Sequence, residues 1–458
     1  MSAKTNPVRR VAITGLGAIS SIGDNADKFW RSCISGNTNV EHIPQHWFEY
    51  STFNCQFWSP LPSSSSFDAE FTRSQRLTLD ASARLAILTA KEALENAGYT
   101  VYKSNKGGYD VLGISPERFG VFMGTGVGGI SSLLQNHTHP ILSRSYRDIQ
   151  NLNRDDLSGV DKETLENISN RMVFPRRVNP FIVSMLMPNA ISANVGLFFQ
   201  LTGPNTTYAV ACASGAVAIG NAFRAIQKGD VDVALAGGSE YLDDHYGYIF
   251  RGFDVAGTLA RGEDAETLNR PFDRDRTGFV LSQGGAATLI LEEFESAISR
   301  GAPIVAEIIG YGETFDAYNI MHMSPDVGQI DRMIKSTLSD AGLSACDIDY
   351  INAHGTGTRN NDEIEAEVLY KNFGSVPVVN STKALVGHSI GASGALEAVV
   401  TAKSLMHQTT HACKNLETPI CDLNFSTGLD HLSIDYALSQ SFAFGGHNSA
   451  LAFKKFDA

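Results

Sequence analysis

Residues 212–229, CASGAVAIGNAFRAIQKG, and residues 388–407, HSIGASGALEAVVTAKSLMH, read as two versions of one helix rich in small residues and carrying SGA near its start. A repeat of this kind means a chain assembled from two similar halves, in which the flanking elements should correspond as well. Ala81–Gly98 (ASARLAILTAKEALENAG) is a helix ending in NAG and is followed, after an insertion, by the strand FGVFMGTG at 119–126. Ile330–Gly342 (IDRMIKSTLSDAG) ends in DAG and leads to the strand-like IDYINAHGTG at 348–357, so the same elements recur in the same order. The join falls near Ser299–Pro303 (SRGAP), dividing the chain into halves 1–298 and 299–458. Packing two such halves together would bring the two helix starts near one another.

Strand-like apolar runs at Val11–Thr14, Gly120–Gly124, Val231–Ala236, Ala286–Leu291 and Val305–Ile309 alternate with helix-patterned stretches, which predicts a layered α/β fold with sheets buried on both faces. Turn-forming or irregular material at 55–67, 101–112 and 136–171 reads as surface insertions, including the Pro60–Ser66 segment PLPSSSS.

Composition narrows the function classes. With 43% hydrophobic and 19% charged residues, 458 residues have ample material for a large core. A net charge of −13 argues against general nucleic-acid binding, which needs a basic face. No apolar run approaches the roughly 20 residues needed to span a bilayer, and the start lacks a signal-peptide apolar core, so a cytoplasmic location is expected. The cysteines at 33, 55, 212, 346, 413 and 421 form no CxxC pair; neither a disulfide framework nor a metal site is expected.

Four segments carry side chains suited to chemistry. Cys212 in TTYAVACASGAVAIG lies where a β-prone run meets a helix, and a sulfur at a helix N-terminus is expected to have its thiolate favoured by unpaired N–H groups and the macrodipole. For any single cysteine the commoner role is a buried apolar filler, the reading kept for the other five. His354 in YINAHGTGT follows a strand, where ligands bind in α/β sheets, and Gly355 and Gly357 allow close approach. His388 in KALVGHSIGASGA repeats the glycine-flanked pattern at the second helix start, with Lys383 five residues earlier. The loop SFAFGGHNSA, residues 441–450, sits between two apolar runs, either as an ordinary hairpin or with its N–H groups directed into a site. GLGAIS at 15–20 has Ser20 in place of the third glycine of a dinucleotide fingerprint, so no cofactor is assigned to it.

The ordered set ACASG with Cys212, NAHGTGT with His354, TKALVGHSIGASGA with Lys383 and His388, and FAFGGHN with Phe444 resembles the elongating β-ketoacyl-acyl-carrier-protein synthases. The resemblance runs from VAITGLGAISSIG at the start to the last strand and takes in LTGPN, DVALAGGSE, RPFDRDRTGFV and LEEFESAISRGA. It implies a five-layered αβαβα thiolase fold made of two pseudo-repeated halves, usually dimeric, with no cofactor of its own because phosphopantetheine arrives on the acyl carrier protein. It also implies a two-stage acyl transfer. Cys212 would take the acyl chain, with the backbone N–H groups of Cys212 and Phe444 as oxyanion hole. His354 and His388 would then stabilise the enolate formed when malonyl-carrier protein loses carbon dioxide, and the sequence leaves their protonation open.

By the same matching, Lys383 and Glu365 would form a charged pair orienting His354. Thr356 and Thr358 would meet the pantetheine arm, Phe444 would gate the pocket, and Arg73, Arg76, Arg176 and Arg177 would dock the acidic carrier. The sequence departs from the family at Ala443, where glycine is usual, at Ser282–Gln283, where an acidic residue is common, and in the long 136–171 stretch. A fatty-acid enzyme and a type II polyketide or polyene ketosynthase both remain open, as do a homodimer and a heterodimer with a chain-length-factor partner. A degradative thiolase would need a second cysteine near the C-terminal loop, where FAFGGHN has none. A non-catalytic partner subunit would lack the nucleophile, and an initiating synthase would have Asn in place of His388.

Overall fold

Every residue of the first strand, β1 (Val11–Ile19), is buried, and its two glycines explain how. A Cβ on Gly15 would lie 2.0 Å from the Ala93 carbonyl oxygen and one on Gly17 2.0 Å from that of Thr89, so the helix α1 (Ala81–Asn96) rests directly on the strand backbone. GLGAIS is therefore a packing device. The computed structural model describes residues 8–62, 65–105, 107–113, 115–139, 142, 145, 164, 167–168, 179–428 and 431–457.

The remaining principal strands are β2 (Phe119–Gly124), β3 (Asn205–Tyr208), β4 (Val233–Tyr241), β5 (Gly284–Glu293), β6 (Ala306–Phe315), β7 (Tyr350–Asn352), β8 (Val378–Asn380), β9 (Asn424–Phe425), β10 (Tyr436–Ala443) and β11 (His447–Lys455). The principal helices besides α1 are α2 (Ala190–Phe199), α3 (Ser214–Lys228), α4 (Gly328–Ala341), α5 (Arg359–Phe373) and α6 (Ser393–His407).

The duplication read from the two helices extends to the sheet. One half runs β1–β5–β4–β2–β3 and the other β6–β11–β10–β7–β8, with β9 added at the outer edge. In each, the first two pairings are antiparallel and the next two parallel. Both halves have a register shift at the same place, between Ile13 and Gly15 in β1 and between Ile308 and Gly310 in β6. Gly310 and Gly312 press against the α4 backbone as Gly15 and Gly17 do against α1. β1 and β6 join the halves through the pairs Val11–Ile308, Ala12–Glu307 and Ile13–Ala306.

Helices α3 and α6 lie between the two half-sheets, α1 and α2 cover one outer face, and α4 and α5 the other. This gives the expected αβαβα order. The SGA signature is the contact between the central helices. A Cβ on Gly215 would lie 2.8 Å from the Ala395 nitrogen, and one on Gly394 2.9 Å from the Ala216 nitrogen, so each glycine admits the other helix.

The predicted elements shift at their ends. Cys212 and Gly391 sit in 3₁₀ turns, Ala211–Ala213 and Ile390–Ala392, ahead of helices that begin at Ser214 and Ser393. Of the expected insertions, 55–67 contributes a short ribbon strand, Phe57–Trp58, paired with Glu41–His42. The 101–112 stretch forms a hairpin of Val101–Lys103 with Tyr109–Val111. Most of 136–171 lies outside the described residues. No described helix is long and apolar enough to cross a membrane.

Candidate active site

The two 3₁₀ turns meet at the centre of the molecule. Ala211 and Ile390 occupy equivalent positions and both adopt left-handed backbone, with φ of 48° and 47°. The following residues, Cys212 and Gly391, are equivalents too. Only one can bear a side chain: a Cβ on Gly391 would lie 2.2 Å from the Gly126 nitrogen and 2.7 Å from Glu240 Oε2. Glu240, fully buried at the end of β4, accepts hydrogen bonds from the N–H groups of Gly126, Val127 and Gly391 and from Thr125 Oγ1. It ties the loop after β2 to the second turn, and burial pushes its carboxyl up to about 7.

Cys212 Sγ is 3.0 Å from His388 Nε2. The backbone N–H of His388 donates to the Val280 carbonyl at 2.7 Å and its carbonyl accepts from Ser282 at 3.1 Å, which fixes the residue from both sides. Its ring lies edge-on to Phe279, with centroids 5.0 Å apart, and Nδ1 is 2.9 Å from Ser393 Oγ. His354 crosses His388 at 5.7 Å between ring centroids, 85° apart in plane. Burial, then the charge of Lys383, holds both imidazoles well below the usual histidine range, so both are neutral.

Lys383 is buried against His354. Its ammonium donates to the His354 carbonyl at 2.8 Å and lies 3.1 Å from Nδ1. Because an ammonium can only donate, His354 Nδ1 accepts and the hydrogen of the neutral ring is on Nε2.

The expected Lys383–Glu365 pair is not the one formed. Lys383 makes its ion pair with Glu397, on α6. Glu365 instead receives the backbone N–H groups of His354 and Gly355, each at 2.7 Å, and the side chain of Asn361. It fixes the His354 loop through the backbone, while Glu397 supplies the countercharge. Glu397 went unread in the sequence, although a lone carboxylate within the apolar run SGALEAVVTA was its signal. RPFDRDRTGFV acts on the same loop: buried Arg276 pairs with Asp362, which accepts the N–H of Gly357.

The expected lowering of the Cys212 thiol is also corrected. Burial pushes it up to about 12, outweighing the opposing charge of Lys383 and the N–H of Phe444. The sulfur precedes α3 by a turn and is enclosed, so loss of water opposes the thiolate more than the helix end favours it.

Cys212, His354 and His388 line one cavity of about 540 Å³, together with Thr356, Thr358, Phe279, Phe442 and Phe444. The Thr356 and Thr358 hydroxyls are 2.9 Å apart. Phe444 begins the turn between β10 and β11, in which Gly445 and Gly446 both have φ of 87°. Ala443 ends β10 outside the left-handed region, so it adds no backbone strain. Gln283, in the Ser282–Gln283 departure, bonds Asp243 and the backbone N–H of Leu61.

Arg73 and Arg76 are exposed on the short helix Arg73–Thr78, and Arg176 and Arg177 lie outside the described residues. Among the described residues no cluster of His, Cys, Asp and Glu is arranged to hold a metal ion.

The family described as beta-ketoacyl synthase, N-terminal domain, matches residues 8–297, and its C-terminal domain matches residues 305–417. A 3-oxoacyl-[acyl-carrier-protein] synthase 2 of Staphylococcus aureus is 33% identical over 458 residues, covering 98% of this chain and 99% of its own. A beta-ketoacyl synthase from Burkholderia phymatum superposes with a TM-score of 0.81 at 29% identity, covering 98% of this chain and 100% of its own. The ishigamide ketosynthase/chain length factor does so at 0.77 and 27%, with the same coverage.

Proposed function

Because this chain belongs to the β-ketoacyl synthase family, we propose that it is an elongating 3-oxoacyl-acyl-carrier-protein synthase that carries the acyl chain on Cys212. The observation that carries the reading is the 3.0 Å approach of Cys212 Sγ to His388 Nε2 in a cavity that His354 also lines.

In the first stage the Cys212 sulfur attacks the acyl thioester of a carrier protein. The bond to the pantetheine sulfur breaks, and the thiol proton leaves with that sulfur. The backbone N–H groups of Cys212 and Phe444 meet the developing oxyanion, and one such donor is worth about 3–4 kcal/mol. In the second stage malonyl-carrier protein loses carbon dioxide. The C–C bonding pair becomes an enolate, whose oxygen receives hydrogen bonds from the Nε2–H groups of His354 and His388. The enolate carbon then attacks the acyl group on Cys212 and displaces the sulfur, lengthening the chain by two carbons. Thr356 and Thr358 meet the pantetheine arm, and Phe444 moves aside to admit it.

Arg73 and Arg76 offer charges for an acidic carrier, with Arg176 and Arg177 in the same role. No cofactor is required, since the carrier brings its own phosphopantetheine. The described cysteines are all free, which fits a reducing cytoplasm. The likeness to a ketosynthase/chain length factor favours, as a second reading, the catalytic half of such a heterodimer in polyketide or polyene synthesis.

The test is intact mass after incubation with a panel of acyl-carrier proteins. Wild type should gain an acyl mass that Cys212→Ala does not, and should release a product two carbons longer when malonyl-carrier protein follows. An equal adduct on both proteins refutes the reading.

A further inference from the structure

His388 and His354 must both present hydrogen at Nε2 to serve the enolate, yet only His354 has an ammonium on Nδ1 to enforce it. The corresponding group at His388 is Ser393. The pseudo-symmetry gives an internal reference, because Ser393 and Ser214 each open one of the two central helices.

Ser214 Oγ accepts from the Val210 N–H at 2.9 Å, and its own hydrogen has backbone carbonyls to take, Ala211 at 2.7 Å and Thr125 at 2.9 Å. Ser393 Oγ accepts from the Ser389 N–H at 3.1 Å, the equivalent bond. No carbonyl takes its hydrogen among the described residues. The group in that place is His388 Nδ1, at 2.9 Å. Both side chains are buried, with Ser393 3% and His388 2% exposed, so bulk water does not compete for either. A hydroxyl with one lone pair already filled by an N–H and a ring nitrogen as its sole acceptor satisfies all three groups when it donates to that nitrogen.

We propose that Ser393 is a positioning residue for His388: its hydroxyl donates to Nδ1 and holds the neutral ring with its hydrogen on Nε2, directed at the enolate oxygen. Its part in turnover rests on the condensing reaction proposed above. The tautomer does not.

Two measurements test it. In ¹⁵N-histidine-labelled protein, with His388 identified as the resonance lost in His388→Asn, the wild type should carry hydrogen on Nε2, and Ser393→Ala should populate the Nδ1–H form. Hydrogen on Nδ1 in the wild type overturns the proposal. In single turnovers, Ser393→Ala should acylate Cys212 within about threefold of wild type while condensation with malonyl-carrier protein falls about tenfold or more, and Ser393→Thr, which keeps the hydroxyl, should recover most of it. Unchanged condensation in Ser393→Ala overturns the role of Ser393 while leaving Cys212 acylation intact. Absence of any acyl-enzyme in the wild type would instead refute the condensing reaction itself.

Discussion

Lys383 and Glu397 form a buried ion pair in which both side chains are 1% exposed. The lysine nitrogen reaches His354 from that pair, so the charge beside the imidazole is balanced by a carboxylate on α6, not by the α5 carboxylate at 365 that lies closer to His354 in sequence.

Removing the two carboxylates should therefore have unequal consequences. Glu397→Gln leaves a buried ammonium without its countercharge, an expected cost of about 3–5 kcal/mol in urea unfolding. Glu365→Gln keeps an oxygen for one of two backbone N–H groups and should cost about 1–3 kcal/mol. The reverse order would return the pair to Glu365.

The elevated thiol sets the alkaline behaviour of the free enzyme. With Cys212 pushed up to about 12, its thiolate fraction grows with each unit of rising pH across the neutral range. Iodoacetamide alkylation of Cys212, followed by peptide mass, should accelerate nearly tenfold per unit from about pH 6 to about pH 9 without levelling. Lys383→Met should slow it at every pH, because the lysine charge favours the thiolate. A plateau near neutrality would mean an already ionised sulfur.

Gly391 occupies the position that Cys212 holds in the other half, against the Gly126 backbone and the Glu240 carboxylate. Gly391→Ala should destabilise the protein by about 1–3 kcal/mol through overpacking. It should also lower acylation of Cys212 by parting the two turns. Wild-type stability in thermal unfolding would show that the turns have room to separate.

Ala443 bears on the mobility of the Phe444 turn. Ala443→Gly should cost about 0.5–1 kcal/mol through added backbone freedom. It should also speed amide hydrogen exchange at 444–447, leaving exchange in β11 beyond the turn unchanged. Equal exchange rates would place control of the turn in Gly445 and Gly446 alone.

The halves, the helix types and the chemically capable side chains were legible because each leaves a local trace. Small residues recur at the start of α3 and α6, glycines flank His354 and His388, and apolar runs mark strands buried on both faces. The register shifts shared by β1 and β6 were not legible, since GLG and GYG look alike only once a helix is seen pressing on each.

The sequence by itself determined that the chain is a duplicated α/β protein carrying a cysteine, two histidines and a lysine in a telling order. Tertiary structure alone decided which carboxylate answers Lys383, that the Cys212 thiol is raised, and that Ser393 faces the ring of His388. The physical reason is one of range. Helix starts, turns and burial patterns are written in neighbouring residues, whereas ion pairing and desolvation depend on groups that meet only when α3 and α6 pack between the sheets.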